Sequence, residues 1–92
     1  MPKYLSEHDL TDAKTREEWL EIARAANNAV RESIYSVQWL NAWVCKDVLY
    51  CVNIADSEDE IYAFVDVYEM PPLRRVSEIK FTFDPGSIGE SY

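Results

Sequence analysis

The residues able to do chemistry in this chain are few. His8 is the single histidine, and Cys45 and Cys51 are the two cysteines. Glu78 and Lys80 stand two residues apart near the C-terminus. An imidazole with its ordinary pKa of about 6.5 can ligate a metal or move a proton near neutral pH. A carboxylate becomes a general base where an apolar setting raises its pKa. Glu78 and His8 are therefore the candidate catalytic residues. Beside Lys80, Glu78 also reads as a surface ion pair worth little. His8, Glu7 and Glu78 form the candidate metal set, for nickel or another divalent cation. His8 and the thiols match no structural zinc spacing. No histidine stands at a diagnostic spacing from Cys51, so that thiol reads as a small core residue. The glycines are Gly86 and Gly89 alone, so no glycine-rich phosphate loop or GxSxG elbow is present.

The elements that must position these groups are organised around Ser36 to Ala55, SVQWLNAWVCKDVLYCVNIA. Two β-type runs meet there at the polar turn Lys46-Asp47, and neither run contains Gly or Pro. Lys3 to Asp9 reads as a strand. Thr15-x-x-Glu18 is a capping box opening a helix whose stripe is Trp19, Ile22, Ala23, Ala26 and Val30, ending near Ser33. Ser57-x-x-Glu60 repeats the capping box for a second helix, with Ile61, Phe64, Val65 and Tyr68 inward and Pro71-Pro72 as its stop. Val76 to Phe83 reads as the last strand, and Asp84-Pro85-Gly86 as a turn. The order βαββαβ predicts an α+β, ferredoxin-like fold: a four-stranded antiparallel sheet with two helices on one face.

Ninety-two residues suit one domain, with an ordered core over about 2–85 and a loose tail beyond. A net charge of −8 argues against nucleic acid and anionic membrane as partners. No apolar run reaches membrane-spanning length, and the N-terminus lacks a signal-peptide h-region. Two cysteines make no disulfide framework, so free thiols in a reducing cytoplasm are expected.

The hairpin register decides which residues share a sheet face, since a slip of one residue inverts both faces. A two-residue loop, Lys46-Asp47, would pair the strands the other way; the reading adopted is a three-residue loop, Lys46 to Val48, which turns Leu40, Ala42 and Val44 with Tyr50, Val52 and Ile54 toward the helices. The uncovered face then carries Tyr4, Ser6 and His8, with Trp39, Asn41 and Trp43 beside them. Val37, Leu49, Cys51, Asn53, Glu78, Lys80 and Thr82 complete it. This face is too apolar for water and too polar to bury unpaired. Two sheets packed face to face satisfy both demands, so a homodimer is expected, with a small-molecule pocket on that face. Trp39 and Trp43 would wall the ligand; Asn41, Cys51, Asn53 and Lys80 would line or orient it.

The chain also resembles a family. Met1-Pro2-Lys3-Tyr4-Leu5 with Glu7 and Asp9-Leu10, Val37-x-Trp39 with Val44, and Tyr50-Cys51-Val52 with Ala55 carry the likeness. Glu60-Ile61, Pro72, Ser77-Glu78-Ile79 and Asp84-Pro85 extend it. In order and spacing these words resemble the small ferredoxin-like, dimeric α/β-barrel proteins known as nickel-binding or nickel-responsive, much of which is catalogued as a domain of unknown function. The resemblance implies a ferredoxin-like fold, a dimer and nickel as a candidate ligand. The resemblance implies, for many members, a histidine where Asn41 stands and another on the second helix, where Tyr62 to Asp66 hold none. A cavity adapted to an organic ligand, or a cofactor-free enzyme, are the readings that compete with metal binding.

Overall fold

The computed structural model describes residues 1–86. Its elements are β1 (Lys3–Asp9), α1 (Arg16–Glu32), β2 (Gln38–Cys45), β3 (Val48–Ile54), α2 (Glu58–Val67) and β4 (Leu73–Ile79). The strands form one four-stranded sheet in the order β2-β3-β1-β4. Every pairing is antiparallel. Ala29 of α1 and Ile61 and Phe64 of α2 pack with Tyr4, Val37 and Val76, so both helices cover the same sheet face. This is the ferredoxin-like arrangement expected from the order of elements. The expected loose tail falls largely on 87–92, outside the described residues.

The local signals mark the ends with mixed success. The Thr15 hydroxyl accepts the Glu18 N–H at 3.2 Å, and Glu18 reaches back to the Thr15 N–H at 3.2 Å, so the first capping box forms. The second does not. Ser57 makes no side-chain cap. Glu60 instead accepts from the Ser36 N–H at 3.1 Å and from the Ser36 hydroxyl, stitching the entry of β2 to the first turn of α2. A tertiary partner has outcompeted the local one. Glu69, at φ 53°, takes the left-handed conformation that ends α2, and Met70 N–H bonds back to Val65 C=O. The last strand begins three residues earlier than expected and stops at Ile79. Phe81 and Phe83 lie beyond it, exposed, with rings 5.5 Å apart.

The hairpin register differs from the expectation. Cys45 pairs with Val48 across a two-residue turn, with Lys46 at φ 56°. Trp39 pairs with Asn53 and Asn41 with Val52, so Leu40 is a bulge. The tighter turn sets Leu49, Cys51 and Asn53, rather than Tyr50, Val52 and Ile54, on the side of Ala42 and Val44, and the bulge brings Trp39 to that side in place of Leu40. The helix-facing side therefore carries Trp39, Ala42 and Val44 opposite Asn53, Cys51 and Leu49, continued by Tyr4, Ser6 and His8 of β1. The uncovered side carries Leu5, Glu7, Asn41, Trp43, Tyr50 and Val52. Most of the residues assigned to the uncovered face thus lie under the helices. Leucine at position 40 sets the outcome: left in phase it would have faced inward, whereas in the bulge it is 48% exposed.

Candidate functional site

Helix α1 stands off the sheet. Its apolar stripe predicted a buried face, yet Ala29 is its one buried residue. Trp19, Ile22, Ala23 and Ala26 are only half-buried. They look across a gap at Trp39, Ala42, Val44 and Leu49, with Phe64 of α2 closing one side. The gap is a cavity of about 250 Å³. Small-molecule pockets run from roughly 300 to 1,000 Å³, so this one suits a compact guest. Its cause is local: Ala23 and Ala26 supply one methyl group each where a closed interface needs larger side chains. At the N-terminal end of α1, Trp19 Nε1–H donates to the Ala13 carbonyl at 3.0 Å.

Three polar side chains form part of the sheet-side lining. Ser6, His8 and Asn53 are 0%, 6% and 7% exposed. The His8 Nδ1 lies 2.9 Å from the Pro71 carbonyl oxygen, which can only accept, so Nδ1 carries the proton. The Nε2 of the neutral ring is then an acceptor, and the Ser6 hydroxyl donates to it at 2.8 Å. Asn53 Nδ2 donates to Ser6 Oγ at 2.9 Å. Proton donation thus runs in one direction, Asn53 to Ser6 to His8, with His8 anchored on Pro71. Burial pushes the His8 pKa below its usual 6.5, although the Pro71 carbonyl pulls the other way. Burial pushes the Cys51 thiol up to about 11, against a hydrogen bond with Ser6. Both groups are therefore uncharged at pH 7.

A hydroxyl donating to an imidazole of fixed tautomer is half of a nucleophile–base pair. Donation from Asn53 draws electron density from the same oxygen and weakens it as a nucleophile. The cluster reads first as a satisfied buried network. Trp39 is different. Its Nε1, among the described residues, is the one buried side-chain nitrogen or oxygen without a hydrogen-bond partner.

The remaining candidates scatter. Glu7 lies on the opposite side of the sheet, ion-paired with Arg75 at 2.8 Å. Glu78 sits at the sheet edge with 41% of its side chain exposed, bridged to Lys80 at 3.2 Å. That is no apolar setting for a general base, and neither residue borders the cavity. Asn41 is exposed on the uncovered side. Trp43 borders the cavity but stacks on Tyr50, with ring centroids 6.0 Å apart. His8, Trp39, Cys51 and Asn53 are the sequence candidates that the fold brings together. Sequence reasoning missed Ser6 as a partner of His8, and missed the Pro71 carbonyl. The i, i+2 spacing of Ser6 and His8 on a strand was the available signal.

A metal fits poorly here. Among the described residues no group of three or more His, Cys, Asp or Glu side chains converges. His8, Glu7 and Glu78 occupy three different places, both His8 nitrogens are engaged, and the Cys51 thiol resists ionisation. No described helix is long and apolar enough to cross a membrane.

Comparison with known proteins agrees with the fold. A family model described as nickel responsive protein SCO4226-like matches residues 4–79. The crystal structure of SCO4226 from Streptomyces coelicolor A3(2) superposes with a TM-score of 0.74 at 12% identity, covering 88% of this chain and 99% of that one. No curated protein matches the chain.

Proposed function

The chain belongs to the SCO4226-like family of nickel-responsive proteins, and from that premise we propose that it binds a small organic molecule in the cavity between α1 and the sheet. The cavity carries this reading: about 250 Å³ of apolar space lies beside a buried polar network already satisfied within the chain. Closing such a space by collapse would have been favourable, because an empty cavity forfeits dispersion contacts on every wall. The proposed site lies under the helices, in place of the pocket on the uncovered face that the sequence suggested.

The uncovered face has its own role in this proposal. Leu5, Val52 and the Trp43–Tyr50 stack form an apolar centre, and Trp43 is 44% exposed. We take it as the seam of a homodimer, two copies meeting sheet to sheet through an isologous contact. The free thiols, Cys45 exposed and Cys51 buried, favour a reducing cytoplasm.

Titration calorimetry with ethylbenzene, a compact guest without polar atoms, tests the cavity reading. Saturable binding at one molecule per chain is expected. An absence of saturable heat at its solubility limit rejects the reading. Nickel binding, suggested by the family name, is the second reading, and the same instrument with nickel chloride addresses it.

A further inference from the structure

Resting on the cavity reading, we infer that the guest is an uncharged, largely apolar molecule with one hydroxyl, a small alcohol or phenol, which donates to the side-chain carbonyl oxygen of Asn53.

Three observations converge. The first fixes which end of the Asn53 amide is free. His8 Nδ1 donates to the Pro71 carbonyl, so Nε2 accepts, and Ser6 spends its single proton there. Ser6 Oγ can then only accept from Asn53, and Nδ2 is the amide atom that faces it, at 2.9 Å. The amide therefore has one orientation, with Nδ2 inside the relay and Oδ1 outside it. Every link of the relay is made, while Oδ1 has no hydrogen-bond partner among the described residues.

The second is access. Trp39 Nε1 is the one fully buried side-chain nitrogen or oxygen left unpartnered among the described residues, so the unpartnered Asn53 Oδ1 keeps accessible surface. Asn53 is 7% exposed and lies on β3, with β1 and β2 on either side and the helices above. The surface left to it opens on the cavity that it lines. An acceptor so nearly buried is rarely left unmade without a reason, and a donor on the guest completes it.

The third is charge. No Lys, Arg, Asp or Glu borders the cavity. Its titratable residues, His8 and Cys51, are both neutral there. An anion would lose its hydration with nothing to balance it, and a cation likewise. An aliphatic amine brings its donors on a cation at pH 7, whereas a hydroxyl brings one without charge. The walls suit a ring beside that hydroxyl: Trp19 and Phe64 present aromatic surface, and Ile22, Val44 and Leu49 supply aliphatic contacts.

Benzyl alcohol, anisole, ethylbenzene and benzylammonium form a matched set of nearly equal size for the test. The alcohol brings a donor, anisole an acceptor oxygen alone, ethylbenzene neither, and benzylammonium a charge. In 13C,15N-labelled wild-type protein the Asn53 side-chain carbonyl carbon, assigned through its own Cβ, should move downfield with benzyl alcohol and hold its place with anisole and ethylbenzene. Calorimetry should show Asn53→Leu weakening benzyl alcohol about tenfold relative to ethylbenzene, the worth of one buried hydrogen bond. Benzylammonium should not bind. Benzyl alcohol that binds without moving that carbon further than ethylbenzene does, or that fails to bind where ethylbenzene binds, overturns this inference and leaves the cavity reading standing. Benzylammonium binding most tightly overturns the neutral class. No binding by any of the four overturns both readings. The wild-type carbonyl shift decides the matter even if Asn53→Leu fails to fold.

Discussion

Ser6 and His8, two residues apart on β1, stand side by side under the helices with the hydroxyl donating to Nε2 at 2.8 Å. The Pro71 carbonyl fixes the tautomer from the other side of the ring. The pair locks the loop after α2 to the central strand, and it makes the buried side of the sheet sensitive to protonation.

That sensitivity has a sign. Burial holds the His8 pKa below 6.5 in the folded state, and the unfolded chain returns it to about 6.5. Between those values the unfolded state binds more protons, so stability rises with pH there. It is fully present above pH 6.5 and falls as pH drops toward the lower folded-state value. Asp9, held down by the Thr11 N–H, Glu18, by the Thr15 hydroxyl, and Glu60, by the Ser36 hydroxyl, act lower, below their usual 3.8 to 4.5. Thermal unfolding should therefore show a melting temperature that declines from pH 6.5 toward pH 5. In His8→Gln that decline should vanish while the decline below pH 4.5 stays. An unchanged profile in the variant would remove His8 as its source.

Ser6→Ala removes the centre of the network. It strands the Asn53 amide and leaves His8 Nε2 without its donor, both buried. A loss of about 1–3 kcal/mol is expected in denaturant titration. The double variant Ser6→Ala, His8→Gln should cost clearly less than the sum of the two single changes. Simple additivity would mean the two residues act independently.

Ala26→Leu adds three methyl-sized groups where α1 stands off the sheet. In a packed core such a change strains; here it has room. We expect a melting temperature equal to or above wild type and loss of ethylbenzene binding in calorimetry. A marked destabilisation would mean that the space closes in solution.

Glu7 and Glu78 lie apart from His8 and from each other, each already ion-paired. Glu7→Gln and Glu78→Gln should leave any nickel binding measured by calorimetry unchanged. A tenfold loss in either variant would place that carboxylate in a metal site.

Val52 sits at the middle of the uncovered face, paired with Leu5 and Asn41. Val52→Lys should convert the expected dimer to a monomer in sedimentation velocity without unfolding it. A wild-type monomer, or a variant that stays dimeric, contradicts the sheet-to-sheet seam.

Element order was legible in the sequence because helical and strand periodicities alternate cleanly, and because Thr15, Pro71 and Pro72 punctuate them. The faces were not, for two reasons that lie in single residues. Lys46 takes a positive φ that lets the hairpin close over two residues, and Leu40 bulges. The two-residue turn exchanges the faces of β3 relative to β2, and the bulge by itself divides β2, so that Trp39 and Trp43, spaced for one face, end on opposite sides. His8, Cys51 and Asn53 share a side with Trp39 because alternation holds on β1 and β3 and the bulge at Leu40 offsets the tighter turn, but the side is the one under the helices. The cavity itself left one trace, the alanines at 23 and 26, small residues in the middle of a stripe flanked by Trp19 and Val30. They read as ordinary core because periodicity reports direction and says nothing of distance.

The measurement that bears most directly on the account is an intermolecular NOE experiment on 13C-methyl-labelled protein saturated with ethylbenzene. Contacts from the ethyl protons to the methyls of Ala23, Ala26 and Leu49 are the predicted result, placing the guest between α1 and the sheet. Contacts to Leu5 and Val52, on the other side of the same sheet, would contradict it.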